Sequence, residues 1–329
     1  MARLTLLALL PLSLVAQQPG TVLTGPESIR RQPYARYTTL DSLQRTIQFY
    51  LAEPADAPVP LVVYVQGSGF SSHFVPAAPG YASATGHASL FDAARGRARV
   101  LLVEKPGVAF GDAGGGDPPL LFRREHTLER WSAAVVAAIV AARTLPGVDT
   151  TRLVVVGHSE GGIVAARVAR LLPSVTHVAL LAGEGPSQLH SLVALARDGA
   201  LLESSGDTPA QREAAVRAAW DSIRNDPHNP GRTWFGHAYP RWWSFLATSS
   251  IEQIDGVAAR VLLVQGSADK AVLPSSADSL FRVLKSRDVD VRLERVAGAD
   301  HSFRLGSGED RWGAVLGTVL EWGLSPDRR

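Results

Sequence analysis

The sequence predicts an α/β protein: a doubly wound, mostly parallel sheet with an inserted helical cap. Five short apolar runs, each bounded by glycine, proline or charge, have the texture of strands buried on both faces. Helical patterns separate them, and β alternating with α specifies a parallel sheet. From about Pro186 to Ile254 the alternation breaks, leaving helical patterns without a buried-strand run.

The first residues, MARLTLLALLPLSLVAQQPG, place one arginine before an apolar stretch from Leu4 to Ala16, and polar Gln17 and Gln18 follow. Residues 1–16 read as a secretory signal peptide. The stretch is short for a membrane span and is interrupted by Pro11. The expected protein is therefore exported, periplasmic or extracellular, and meets a membrane only if the leader stays uncleaved. Leu14 departs from the usual small residue three positions before a cut after Ala16, so the cleavage point is open. With 0 cysteines the chain forms no disulfides, and stability must come from its core.

Residues 17–329 are expected to form one domain. YARYTTL and RTIQFYLAEP alternate as an antiparallel ribbon would. The buried strands follow: PLVVYVQG, ARVLLVEKPG, RLVVVGHSEGG, VTHVALLAGEG and ARVLLVQGSAD. HTLERWSAAVVAAIVAARTLPG, EGGIVAARVARLLP and SSADSLFRVLKSR supply helices between and after them. Within the cap, Thr208 and Gln211 are spaced as a capping box with Pro209 at the first helical position. Trp220, Trp234, Trp242 and Trp243 cluster there, four of seven tryptophans, so the cap carries much of the chain's aromatic surface. Clustered aromatics pack more often than they line ligands, yet a cap over an open sheet makes a pocket.

Composition removes several function classes. Formal net charge is +2 with no basic run, which gives nucleic-acid binding no support. Neither H-E-x-x-H nor a Cys/His ligand set occurs, so no metal site is expected. Gly67-x-Gly69 follows a strand but lacks the third glycine of a dinucleotide fingerprint. No cofactor is implied.

In GHSEGG, Gly157 and Gly161 leave room for a sharp turn between strand and helix, which would push Ser159 Oγ out of the sheet. Ser at a helix start is also a common N-cap. A serine nucleophile needs a base, and the base needs an orienting carboxylate. QGSADKAV sets Asp269 at the end of the last buried strand, and GADHSF sets His301 in a loop after a further strand-like run. Asp300 beside it reads as a turn residue, and His177, inside a strand run, as a core histidine.

With these motifs in place, the chain resembles the α/β-hydrolase superfamily, in particular its prolyl-oligopeptidase-like and dienelactone-hydrolase-like branches. YVQGSGFSS stands where those branches carry a strand ending in H-G-x-x, with Gln66 replacing the histidine; EKPGVAFGD stands where relatives often carry D-x-R-G. The resemblance implies Ser159, Asp269 and His301 as catalytic residues, with the backbone amides of Ser68 and Glu160 as oxyanion hole. Phe70, Trp234, Trp242 and Trp243 are candidate walls of the substrate pocket. A serine hydrolase of carboxylic esters is the expected function. The alternatives are a peptidase or aminoacyl amidase acting on short peptides, a thioesterase, and a non-catalytic binding protein on the same fold. The N-terminal part is too short for the β-propeller that usually accompanies the peptidases.

Overall fold

The computed structural model describes residues 23–54, 57–201, 206 and 208–325, so the expected leader lies outside the described residues. The chain opens with β1 (Thr24–Ser28), β2 (Tyr34–Leu40) and β3 (Thr46–Ala52), an antiparallel ribbon in which Tyr34 faces Ala52 and Leu40 faces Thr46. β4 (Val59–Val65) begins the parallel part. A small hairpin, β5 (Phe74–Ala77) and β6 (Gly80–Ser83), and helix α1 (His87–Ala94) lead to β7 (Arg99–Val103). Helices α2 (Leu120–Glu125) and α3 (Leu128–Ala142) precede β8 (Val148–His158), which feeds α4 (Glu160–Leu171) and then β9 (His177–Leu181).

Between β9 and the next sheet strand the described residues form four helices: α5 (Gln188–Arg197), α6 (Pro209–Asn225), α7 (Tyr239–Leu246) and α8 (Ser250–Ile254). The two-residue strands β10 (Thr233–Trp234) and β11 (His237–Ala238) form a small hairpin before α7. Thr208 and Gln211 make both bonds of the capping box at the start of α6. The chain then returns through β12 (Arg260–Gly266), α9 (Pro274–Ser286), β13 (Val291–Val296) and α10 (Trp312–Leu324).

Among the described residues the main sheet has nine strands in the order β1-β2-β3-β7-β4-β8-β9-β12-β13. From β7 to β13 every pair is parallel. From β4 the chain goes to β7 on one side and to β8 on the other, so the order reverses between β4 and β8. Open α/β sheets bind ligands at such a reversal, beyond the strands' carboxyl ends.

Strand pleating sorts the core into two layers. Leu61, Val63 and Val65 of β4 share one layer with residues of α3, α4 and α9, whereas Val62 and Tyr64 share the other with residues of α1 and α10. A third cluster, built on Ile223, Tyr239, Trp242 and Leu246, belongs to the helices between β9 and β12. The N-terminal ribbon is fastened to the first layer by Phe49, fully buried and stacked on Tyr37 at 5.3 Å. Phe49→Ala is expected to destabilise the protein by about 3–5 kcal/mol, through lost burial and the cavity left behind. Urea unfolding of the two proteins measures the difference.

Candidate active site

Ser159 sits between β8 and α4 with φ 54° and ψ −122°, a conformation that L-residues rarely adopt. The flanking glycines are required by contact. A Cβ on Gly157 would stand 2.1 Å from the Gly161 carbonyl oxygen, and one on Gly161 would stand 2.3 Å from that of Val65. The serine amide donates to the Leu181 carbonyl at 2.8 Å, tying the turn to β9. Ser159 Oγ makes no N-cap bond; it lies 2.9 Å from His301 Nε2.

His301 Nδ1 lies 2.9 Å from Asp269 Oδ2. The aspartate is buried on the loop after β12, where Oδ1 accepts the amides of Ala271 and Val272 at 2.8 and 2.9 Å. Gln265 Nε2 donates to Oδ2 at 2.8 Å. Burial by itself would raise this carboxyl, but His301 and the two amides outweigh it and hold Asp269 below its usual value. His158, pushed down to about 4 by burial, is neutral and donates from Nε2 to the His301 carbonyl at 3.1 Å. Asp300 accepts the amides of Ser302 and Arg304 and closes its own turn.

The loop after β4 approaches the serine from the neighbouring strand: a Cβ on Gly67 would be 3.3 Å from Ser159 Cβ. Ser68 is exposed next to it, and among the described residues its amide has no hydrogen-bond acceptor. Lys105 holds this loop from below. Its Nζ donates to the carbonyls of Gly67 and Gly69 at 2.5 and 2.6 Å and lies 4.7 Å from the Trp131 ring centre. Burial pushes the lysine down to about 8, with Glu160 and Glu104 opposing. The motif departure EKPG thus supplies a cation under the loop. Gln66, the other departure, donates from its side chain to the Ser71 carbonyl at 3.3 Å within the same loop.

As the first residue of α4, Glu160 has an amide that no carbonyl of its own helix can reach. Its side chain turns the other way, into the protein. Arg241 of α7 donates to Glu160 Oε2 through Nε at 2.8 Å and also through a terminal nitrogen. His126 Nε2 stands 2.8 Å from Oε1, in ion-pair range but out of line for a hydrogen bond. Burial would raise the Glu160 carboxyl, yet Arg241 foremost, then His126 and Lys105, keep it well below the carboxylate range. Burial lowers His126, with Glu160 opposing.

A small recess opens beside Ser159, lined by Ile163, Glu184, Gln188, Phe245 and Val272. The tryptophans are elsewhere. Trp242 is buried with Nε1 donating to the Trp234 carbonyl at 2.6 Å, Trp234 packs on it at 4.9 Å, and Trp243 stacks on Trp220 at 5.7 Å. Trp242 belongs to the third core cluster, and Trp220, Trp234 and Trp243 pack against that cluster. Phe70 packs on Phe122 at 5.6 Å. A larger cavity of about 530 Å³ lies at the opposite ends of the strands, near Tyr34, Ala52, Arg99 and Pro146, away from Ser159.

The model of the alpha/beta hydrolase family matches residues 62–315, from β4 into α10 and so through every residue of this site. The chain belongs to that family. No curated protein sequence is significantly similar to it. Among solved structures it is similar to Est1E from Butyrivibrio proteoclasticus, with TM-score 0.55 and 16% identity over 88% of this chain and 97% of that one. It is also similar to the acylaminoacyl peptidase of Pyrococcus horikoshii, with TM-score 0.61 and 16% identity over 91% of this chain. A putative dipeptidyl aminopeptidase IV from Bacteroides ovatus aligns at TM-score 0.57 and 13% identity over 88% of this chain. The alignments span 43% and 35% of those two peptidases. At such identities the likeness is one of fold.

Sequence reading missed Lys105, His126, Arg241, Glu184 and Phe245. Only Lys105 left a signal, as a charge at the end of an apolar run. The Glu160–Arg241 pair gives a direct test of the burial argument. Arg241→Met should cost about 3–5 kcal/mol, because it leaves Glu160 buried and unpaired. Glu160→Gln combined with Arg241→Met should recover most of that loss, as read by thermal and urea unfolding of the single and double variants.

Proposed function

We propose that the protein is a serine hydrolase that cleaves carboxylic esters through an acyl-enzyme. The observation that carries this reading is the bonded series from Ser159 to His301 to Asp269, 2.9 Å at each step. Ser159 Oγ attacks the carbonyl carbon while His301 Nε2 takes the hydroxyl proton, and Asp269 holds the imidazole tautomer and balances its charge. The carbonyl oxygen becomes an oxyanion held by the amides of Ser68 and Glu160, the latter at the positive end of α4. The carbon–oxygen bond to the alcohol breaks as His301 returns its proton to that oxygen. Water then repeats the sequence on the acyl-enzyme, releasing the acid and restoring Ser159.

Strain at Ser159 and the low Asp269 carboxyl support a site built for this chemistry rather than a binding protein on the same fold. The same machinery fits thioesters and amides, and likeness to peptidases as well as to an esterase favours a peptide or aminoacyl amide as second reading. No cofactor enters the reaction. The leader pattern supports export, and N-terminal sequencing of secreted material should then begin near Gln17 or Gln18. An intact Met1 would refute it.

Screening the purified protein against p-nitrophenyl esters and aminoacyl p-nitroanilides in parallel decides between the two readings. Ser159→Ala is expected to lower turnover by about three orders of magnitude or more in a folded protein; near-normal turnover would remove Ser159 from the mechanism. Lys105→Met, which frees the loop carrying Ser68, should lower kcat more than it changes KM, because an oxyanion donor acts only in the transition state. A change confined to KM contradicts that role.

A further inference from the structure

The recess beside Ser159 contains a carboxylate that the ester mechanism does not use. Glu184 follows β9 on the loop Ala182–Gly183–Glu184–Gly185, where Ala182 has φ 47°. Oε2 accepts two hydroxyls, Ser191 at 2.7 Å and Ser276 at 2.9 Å. Ser276 Oγ in turn accepts the Gly185 amide at 2.9 Å, so its proton is free for the carboxylate. One oxygen is thus fully engaged and fixes the group, while no described residue donates to Oε1. Gln188 lines the same recess, its Oε1 buried with no partner among the described residues. Ile163, Pro186, Phe245 and Val272 give the wall apolar surface, and Ser159 and Glu160 also line it. A recess with a carboxylate oxygen that no described residue donates to, no cationic side chain among its described lining residues and apolar sides is complementary to a small cation with N–H donors.

We propose that Glu184 and Gln188 form a subsite for a primary ammonium group, so that the acyl part of the substrate carries an amine near its carbonyl, as in aminoacyl esters or amides. This rests on Ser159 as nucleophile and narrows that reading by naming the acyl class. Burial pushes Glu184 up to about 7, and a bound ammonium favours its ionised form. The subsite therefore selects cations by charge, and the apolar wall limits their size.

The test uses the full chain, two substrates of one shape and one isosteric variant. Alanine benzyl ester and benzyl isobutyrate differ by an ammonium in place of a methyl group. Glu184→Gln keeps an oxygen for Ser191 and Ser276 but loses the charge. The variant should lower kcat/KM on alanine benzyl ester by about ten- to a hundredfold, the worth of one bond to a charged group, and change benzyl isobutyrate by less than about twofold. Equal losses on both esters would make Glu184 a scaffold for its loop and overturn the subsite. So would a wild-type protein that prefers the isobutyrate or hydrolyses neither ester. Fluorophosphonate labelling of Ser159 separates the two claims: labelling with no preference for the alanyl ester overturns the subsite alone, whereas no labelling overturns the nucleophile and the subsite with it.

Discussion

The turn at Ser159 is the constraint on which the rest of the site depends. A serine at φ 54° and ψ −122° persists only where its surroundings leave no alternative. The backbone of β4 presses on Gly161, Gly157 presses on the same glycine, and β9 takes the serine amide. Three neighbouring strands of the sheet hold one dihedral pair. The hydroxyl consequently leaves the sheet toward His301 instead of bending back to cap α4, and the strain is kept because the strands cannot move independently.

Below that turn, buried charge does what apolar packing could not. Glu160 reaches Arg241 on α7, Arg241 packs over Trp242 at 4.0 Å and Phe245 at 5.0 Å, and Lys105 closes the loop of Gly67 to Gly69. Directional bonds to charged groups fix register in a way that van der Waals contact does not. The helices above the sheet are therefore joined to the first residue of α4, and opening α7 would expose or unpair a buried ion pair.

The same region separates two kinds of acidic residue. The Glu160 carboxyl is held low because an arginine faces it, whereas burial pushes Glu184 up to about 7 against the two hydroxyls that it accepts. The first is a strut, and its energy is spent inside the fold. The second has an unused oxygen at the recess, which is the condition for recognising something from outside. An apolar wall alone discriminates weakly among acyl chains, while a fixed charge discriminates strongly.

The sequence by itself determined the sheet's parallel strands, the helices between them and the order of Ser159, Asp269 and His301, because period, glycine spacing and strand-end position are local properties of the chain. It missed β1, α1 and α10, the last a helix holding Gly313, Gly317 and Gly323, whose low propensity is overridden by burial of Val315, Leu316, Val319 and Leu320 against the sheet. It grouped Trp234, Trp242 and Trp243 as one aromatic cluster and offered them as pocket walls, yet they pack on one another and do not line the recess beside Ser159. Only the tertiary structure packed them together among the helices between β9 and β12, brought Phe245 and Glu184 to the serine, and paired Glu160 with Arg241 81 positions away. Contacts at that separation depend on how helices between β9 and β12 pack back over the switch point, and packing is decided by shape and charge in three dimensions.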